Sequence, residues 1–248
     1  MCALDYYRPA TLDEALELLK QGVPLAGGTR LTPGRRELNG VIDLQAIGLD
    51  TICQEGDRLK LGAMVTLQDM LENEAVPQAL RDAARREAGW HIRNAASLGG
   101  ILHAADGRSH VLTALGACDV TVQVMPGEKS MSLEAYLAYR MTETVHLVTG
   151  VEVMLPQRLS ISYVARSPAD RPILLVAAAV HTDATGDVYM ALGGCGPQPA
   201  MMRVNEVTEA AKAAEAVFSA AEDVWASAEY RTSAGRSLAM RLFEEVRP

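Results

Sequence analysis

Residues 25–31 read Leu-Ala-Gly-Gly-Thr-Arg-Leu, and they overlap a short apolar run that predicts a strand over residues 23–26. Two glycines after a strand let backbone N–H groups approach a ligand closely, and Thr29 adds a hydroxyl group, so the loop suits a phosphate or pyrophosphate. The loop matches neither G-x-x-x-x-G-K-S/T nor G-x-G-x-x-G, and no helical period begins directly after it. The sequence therefore excludes the P-loop and Rossmann motifs, while a tight turn without a ligand stays open.

A second stretch of the same kind, Ser97-Leu98-Gly99-Gly100, lies in a segment of small residues that shows neither the helical nor the strand period, residues 93–105. Two such loops in one domain favour a ligand that lies across the backbone. Its phosphates would sit in the first loop and another polar part in the second. A third glycine pair, Gly193-Gly194, is interpreted as a bulge or a strand end.

Helical and strand patterns surround both loops. Thr11 and Glu14 form a capping box that begins a helix over residues 11–21. The polar turn at residues 54–57, between two short apolar runs, predicts one hairpin. Pro156 ends the first half of the chain, and a second hairpin is predicted after it. The predicted strands are 41–44, 51–53, 58–62, 119–124, 145–155, 173–181 and 188–193, and the other predicted helices are 66–74, 77–88, 109–116, 132–137, 205–220 and 226–245.

The chain has 248 residues, with 23 Lys and Arg against 31 Asp and Glu and a formal net charge of -8. This acidic balance argues against a nucleic-acid partner, because neutralising phosphates needs clustered basic residues. No apolar run approaches the ~20 residues of a membrane span and no signal core opens the sequence, so we expect a cytoplasmic protein. The cysteines Cys2, Cys53, Cys118 and Cys195 form no C-x-x-C pair, so we expect free thiols rather than disulfides or an iron–sulfur cluster.

Other kinds of site fit the sequence less well. His103, Asp106 and His110 could bind a metal, but their spacing is not a standard one and no fourth ligand is obvious. A serine nucleophile is disfavoured because there is no G-x-S-x-G motif and Ser97 precedes its glycines. The segment Glu229-Tyr230-Arg231 is interpreted as an ion-paired turn on the surface.

Several segments together resemble one family, the FAD-binding subunit, or medium chain, of molybdenum hydroxylases such as xanthine dehydrogenase and carbon monoxide dehydrogenase. The matches run in order through nearly the whole chain, which is more specific than either glycine loop alone. The matching segments are Tyr7-Arg8-Pro9-Ala10-Thr11-Leu12-Asp13-Glu14-Ala15, residues 25–31, Ile42-Asp43-Leu44, Leu61-Gly62-Ala63 with Thr66, Ile92-Arg93-Asn94, residues 97–100, Ala191-Leu192-Gly193-Gly194 with Pro197, Pro199 and Arg203, and Ser227-Ala228-Glu229-Tyr230-Arg231.

The resemblance implies an α+β fold with two domains. Residues 1–156 would form a two-lobed FAD-binding domain of the p-cresol methylhydroxylase type, with lobes near 1–55 and 56–156. Residues 157–248 would form a small C-terminal α/β domain of the carbon monoxide dehydrogenase flavoprotein type. The first glycine loop would hold the FAD pyrophosphate through backbone amides. The residues expected to bind FAD are Leu25, Ala26, Gly27, Gly28, Thr29, Arg30, Leu31, Ser97, Gly99, Gly100, Ile101, Ser109, His110 and Leu147.

The chain departs from the family pattern at three places. Ile101 stands where the family usually has Asn, and Gly107-Arg108-Ser109-His110 stands where it has Pro-x-Ser-Asp. The final His of that segment thus replaces an Asp that the resemblance would place on the sugar chain of the flavin. Arg166 and Asp170 fit the family's Arg-x-x-x-Asp, while the Lys that often precedes it falls near Ser162.

The function that the resemblance implies is that of an oxidoreductase subunit without a catalytic acid or base of its own. Electrons would pass from 2Fe-2S clusters of a small iron–sulfur subunit through FAD to NAD or another acceptor. The substrate, a purine or similar N-heterocycle rather than carbon monoxide, would be oxidised at molybdopterin in a large subunit. Ile101 and His110 keep a second hypothesis open, a structural or assembly subunit with weakened or lost FAD binding. A stand-alone flavin oxidase is disfavoured, because no substrate-binding set is visible.

Overall fold

The computed structural model describes residues 4–32, 38–143, 145–181 and 186–247, so Cys2 and the tip of the second predicted hairpin lie outside the described residues. The first half contains β1 (Asp5–Tyr7), α1 (Leu12–Leu18), β2 (Val23–Leu25), β3 (Gly40–Asp43), β4 (Ile52–Glu55), β5 (Arg58–Gly62), α2 (Leu67–Glu72), α3 (Gln78–Glu87), α4 (Trp90–Arg93), α5 (Leu98–Ala104) and α6 (His110–Gly116). The second half contains β6 (Asp119–Met125), β7 (Lys129–Ser132), α7 (Leu133–Thr142), β8 (Leu147–Met154), β9 (Arg158–Val164), β10 (Leu174–Val180), β11 (Val188–Gly193), β12 (Ala200–Val204), α8 (Val207–Phe218) and α9 (Ala228–Val246).

The chain divides into two compact units whose segments alternate along the sequence. The first unit consists of Met1–Ala75, Ala88–Ala104 and Val120–Val153. The second unit consists of Val76–Glu87, Ala105–Asp119 and Met154–Pro248. The division into domains after residue 156 and the two lobes before it stay predictions.

The first unit contains two sheets. The smaller sheet has the order β1-β3-β2, and both pairings are parallel. Helix α1 begins at its N-cap Thr11 and buries Ala15 in an apolar cluster with Ile42 of β3, as the capping box and the helical period predict. The larger sheet has the order β4-β5-β8-β6-β7, and alternate residues of β5 and β6 are buried, so one face of these strands forms core.

The second unit contains a four-stranded antiparallel sheet with the order β12-β11-β10-β9. Helices α8 and α9 pack together and bury Phe218 and Leu242 in a cluster with Val176 and Met190 of the sheet. Every residue of β10 is buried, so this central strand reads as a continuous apolar run rather than an alternating one. None of the described helices has the length and apolarity to cross a bilayer.

Some elements differ from those predicted. β9 was not predicted, although Leu159, Ile161 and Tyr163 alternate with polar residues, which is a strand signal. The segment without a clear period, residues 93–105, contains helix α5, whose seven residues are too few to show the helical period, and the four-residue helix α4 ends where the segment begins. Helix α7 continues to Thr142, beyond the predicted end at 137.

Candidate functional site

The first glycine loop follows directly on β2. The carbonyl of Leu25 accepts a hydrogen bond from the N–H of Leu44, at 3.0 Å, which fixes the start of the loop against β3. Gly28 has φ +68°, a left-handed conformation that favours glycine. The N–H of Thr32 donates to the Gly28 carbonyl at 2.9 Å and closes the turn. The first glycine loop is therefore a tight turn.

The backbone N–H groups of this loop are available as donors. Within the part of the chain that the structure describes, those of Gly27, Gly28, Thr29 and Arg30 make no hydrogen bond to protein. Arg30 is exposed, and the other three residues are exposed or partly buried. Successive free N–H groups around a residue with positive φ form a concave site for an anion. The residues present thus fit the pyrophosphate that the resemblance implies.

Gly27 brings the two halves of the candidate site together. A Cβ placed on Gly27 would lie 1.5 Å from the carbonyl oxygen of Ala95 and 2.3 Å from its carbonyl carbon. The first loop therefore rests on the backbone just before Ser97, where the second glycine stretch begins. Contact at this distance requires glycine, because any side chain would occupy the same space as the Ala95 peptide.

The second glycine stretch is the start of a helix rather than an open loop. The Ser97 side chain is buried, and its Oγ accepts the Gly100 N–H at 3.2 Å, as an N-cap does. The N–H groups of Leu98 and Gly99 donate to the carbonyls of Val65 and Ala63, each at 2.8 Å. The N–H groups of residues 98, 99 and 100, which were expected to form a second anion site, are therefore already hydrogen-bonded within the protein. Binding of FAD by this stretch stays a prediction.

Ile101 and Leu147 are apolar residues of the first unit. Ile101 lies on α5 and is partly buried. Leu147 begins β8, is 4% exposed and packs in the cluster that contains Ile42 and Ala15. Leu147 therefore serves the core of this unit.

Ser109 and His110 belong to the second unit, where Ser109 caps helix α6. Its Oγ accepts the Leu112 N–H and donates to Oε2 of Glu87, both at 3.0 Å. The same Glu87 oxygen accepts the Val111 N–H at 3.0 Å. Burial raises the pKa of Glu87, and the hydrogen bonds from Val111, Ser109 and His110 oppose that rise. The first turn of α6 is thus occupied by a carboxylate of the protein itself.

His110 is 4% exposed, and its Nε2 has no hydrogen-bond partner. Its ring stands edge-on to Tyr163, with centroids 5.1 Å apart, and Arg86 donates to the Tyr163 hydroxyl. Burial, together with the guanidinium groups of Arg86 and Arg171, lowers the pKa of His110 to about 4. The imidazole is therefore neutral near pH 7, whereas the Asp that the resemblance implies at this position would carry a negative charge.

The alternative metal site is not assembled from its predicted residues. Asp106 forms an ion pair with Arg171 and accepts the Arg108 N–H at 2.9 Å, so its carboxylate is used inside the second unit. His103 belongs to the first unit, where its ring lies tilted against that of His146 with the centroids 5.4 Å apart. Among the described ranges, no group of three or more His, Cys, Asp or Glu side chains could hold a metal ion.

Arg231 is a structural residue that the sequence interpretation placed wrongly on the surface. It lies on α9 and is 0% exposed. Its Nη1 donates to the Gly194 carbonyl at 3.1 Å and its Nη2 pairs with Asp223 at 2.7 Å. Gly194 has φ +103°, and a Cβ there would lie 2.3 Å from the Cα of Leu174. Arg231 therefore braces this turn together with Arg108, whose Nε also donates to the Gly194 carbonyl at 3.1 Å, and the turn itself has room only for glycine at position 194.

The second unit also contains the Arg-x-x-x-Asp segment of the resemblance. Arg166 and Asp170 form an ion pair with an Nε to Oδ2 distance of 3.4 Å. Ser162, at the position of the missing Lys, accepts a hydrogen bond from Arg241 at 2.6 Å. Both side chains of the pair are largely exposed, so the pair contributes little to stability.

A family model described as the FAD binding domain in molybdopterin dehydrogenase matches residues 2–157. The Escherichia coli protein YgfM is 32% identical over 196 residues, which covers 76% of this chain and 73% of that protein. The glyceraldehyde dehydrogenase medium chain of Sulfolobus acidocaldarius is 25% identical over 273 aligned positions that cover 97% of each chain.

Solved structures have the same fold. Quinoline 2-oxidoreductase from Pseudomonas putida 86 superimposes with a TM-score of 0.83 at 22% identity, covering 99% of this chain and 97% of that chain. Reconstituted CO dehydrogenase from Oligotropha carboxidovorans also gives 0.83 at 22% identity, covering 99% and 98%. The predicted α+β fold class is confirmed.

Proposed function

Because the chain belongs to the family of FAD-binding domains of molybdopterin dehydrogenases, we propose that it is the FAD-carrying electron-transfer subunit of a multi-subunit molybdenum hydroxylase. Membership confirms the resemblance seen in the sequence and identifies the chain as an oxidoreductase subunit. We further propose the route of the electrons and the residues that hold the cofactor.

The observation that carries the proposal is the first glycine loop. Its four consecutive N–H groups, from Gly27 to Arg30, are free of protein partners within the described residues, and Gly28 adopts positive φ. Free amides at such a turn stabilise an anion without a side-chain charge. Arg30 adds an exposed cation in the same loop. We assign the pyrophosphate of FAD to these amides.

The positions of the other residues predicted to bind FAD indicate what each would contribute. Leu25, Ala26 and Leu31 flank the amides, and Ser97, Gly99, Gly100 and Ile101 lie just beyond Ala95, on which the loop rests. Ser97 acts on the site by holding the start of α5, because its hydroxyl already accepts the Gly100 N–H. Leu147 is left out of the proposed set, because its side chain fills the core. Ser109 and His110 stay predictions of the resemblance.

Bound FAD would supply reversible electron transfer, and the protein would supply binding and orientation. We propose that electrons enter from 2Fe-2S clusters of a small subunit and leave to NAD or another acceptor, with molybdopterin in a large subunit. The relative named as a medium chain supports a complex of several subunits. The cytoplasmic location and the N-heterocyclic substrate stay predictions.

The second candidate function is a structural or assembly subunit with weakened or lost FAD binding. Two observations favour it. Ile101 offers no polar group at a position where the resemblance has Asn, and the N–H groups of the second stretch are already engaged within the protein.

The visible absorption spectrum of the purified chain separates the two functions. The electron-transfer subunit should show the two bands of oxidised flavin, either as isolated or after incubation with FAD, and heat should release FAD rather than FMN. A folded, colourless protein that takes up no FAD would favour the structural subunit. If the flavin is present, mixing with NADH tests the acceptor, since bleaching of the flavin is expected only if NAD is the partner. Co-purification with iron–sulfur and molybdenum subunits distinguishes this subunit from a stand-alone oxidase.

A further inference from the structure

The contact between Gly27 and Ala95 makes the position of the free amides depend on the segment that carries Ala95. That segment is α4 and the turn after it. The N–H groups of Ala95 and Ala96 both donate to the Ile92 carbonyl, at 3.0 and 2.7 Å. Asn94 donates from its backbone N–H and from Nδ2 to the Trp90 carbonyl, at 3.3 and 2.8 Å. These bonds make the turn compact. The Leu67 N–H donates to the Ala96 carbonyl at 2.9 Å and ties the end of the turn to α2, but helix α4 itself needs a further attachment.

Helix α4 has little packing of its own. It has four residues, none of them buried, and Trp90 and Ile92 are 61% and 48% exposed. A single helical turn is not stable without tertiary contacts. Within α4, only Arg93 is partly buried, so its side chain is the part of the helix best placed to anchor it.

Arg93 connects this turn to a well-anchored helix. Its Nε donates to Oε1 of Gln68 at 3.1 Å, and its Nη1 donates to the Ala88 carbonyl at 3.0 Å. Gln68 lies on α2, which has a complete capping box and buries three apolar residues, Leu67, Met70 and Leu71. A planar guanidinium suits two such bonds at once, which an ammonium group cannot reproduce.

We propose that Arg93 is a positioning residue for FAD: it fixes α4, and through the Ala95 carbonyl it holds Gly27 and the amides that bind the pyrophosphate. This inference rests on the proposed function, because it assigns a role within the same site. Arg93 itself need not contact the cofactor.

The test compares FAD binding and hydrogen–deuterium exchange in Arg93→Ala, Arg93→Lys and Gln68→Ala. The dissociation constant of FAD, from quenching of its fluorescence, should rise about tenfold in Arg93→Ala, and less in Arg93→Lys and Gln68→Ala, which each remove only part of the tether. Exchange should accelerate in peptides covering residues 25–31 and 88–96 and stay unchanged in β5 and β8. Arg58→Ala is the matched control, because it removes an exposed arginine paired with Glu152 in the same unit.

Each outcome supports or overturns the inference. Unchanged FAD affinity in Arg93→Ala overturns it, and so does accelerated exchange throughout the larger sheet, since that would indicate general destabilisation. If Arg93→Ala does not fold, Gln68→Ala tests the same tether from its other end. If the unmodified protein binds no FAD, the proposed function fails, while faster exchange at 25–31 in Arg93→Ala still identifies the tether. If the unmodified protein binds FAD and the variants bind it equally well, only the inference fails.

Discussion

Gly27 and Ala95 are in backbone contact: a methyl group on Gly27 would lie 1.5 Å from the Ala95 carbonyl oxygen. The Gly27→Ala substitution should therefore displace the loop or the turn after α4, because peptide atoms cannot yield as a flexible side chain can. We expect the bound flavin per folded protein to fall at least tenfold, measured by absorbance after gel filtration.

Gly56→Ala is the control for Gly27→Ala. Gly56 lies in the turn between β4 and β5 of the same unit, and a Cβ there has nothing within 4 Å. Its φ of +63° strains alanine, but the flavin content should stay unchanged. Equal flavin content in Gly27→Ala and Gly56→Ala would contradict the role of the close contact.

Gly28→Asp should abolish FAD retention for a different reason. Gly28 has φ +68°, which strains any other residue, and a carboxylate there would repel the pyrophosphate from the amides. Gly48→Asp makes the same change at φ +74° in open space, so it reproduces the backbone strain outside the loop. Only Gly28→Asp should lose the flavin absorbance, and retention of the flavin by this variant would refute the assignment of the loop.

Arg231→Met should strongly destabilise the second unit. Methionine has an unbranched side chain of similar length, but it cannot donate to the Gly194 carbonyl or to the Asp223 carboxylate as the guanidinium of Arg231 does. Arg231 is fully buried, but Asp223 is one-third exposed and both acceptors keep Arg108 as a donor, so losing the Arg231 bonds should cost about 2 kcal/mol. Arg236→Met on the same helix removes an exposed pair with Glu215 and should cost below about 1 kcal/mol. Urea unfolding measures both changes, and equal losses would contradict the bracing role of Arg231.

His110 should make the protein less stable in mild acid. Its folded-state pKa is lowered to about 4, so the unfolded chain, with a pKa of about 6.5, binds the proton more tightly. The contribution of neutral His110 is therefore complete above about pH 6.5, falls as the pH decreases and levels off below about 4, with a total loss of about 3 kcal/mol.

His110→Phe isolates this effect, because the variant keeps an aromatic ring against Tyr163 and cannot titrate. The free energy of unfolding, measured from pH 7 to 4, should fall more steeply in the unmodified protein than in the variant. Parallel curves would show that His110 does not titrate as its burial implies.

Much of the fold can be predicted because its signals are local. The capping box at Thr11 and the polar turn between β4 and β5 each lie within a few residues of the element they begin or join. Helix α5 also has such a signal, since the Ser97 hydroxyl caps it. The sequence also places that serine at the predicted FAD site, because a hydroxyl beside two glycines has the same sequence pattern in both roles.

The sequence by itself determined the family, the glycine loop and the order of most helices and strands, because these depend on residues close together in the chain. Only the tertiary structure decided which N–H groups remain free. Those of Leu98 and Gly99 are engaged by carbonyls of Val65 and Ala63, which are far away in sequence. Likewise, Arg231 resembles a surface residue until its contacts with Gly194 are known. Whether a polar group serves a ligand or the fold depends on which distant backbone groups reach it.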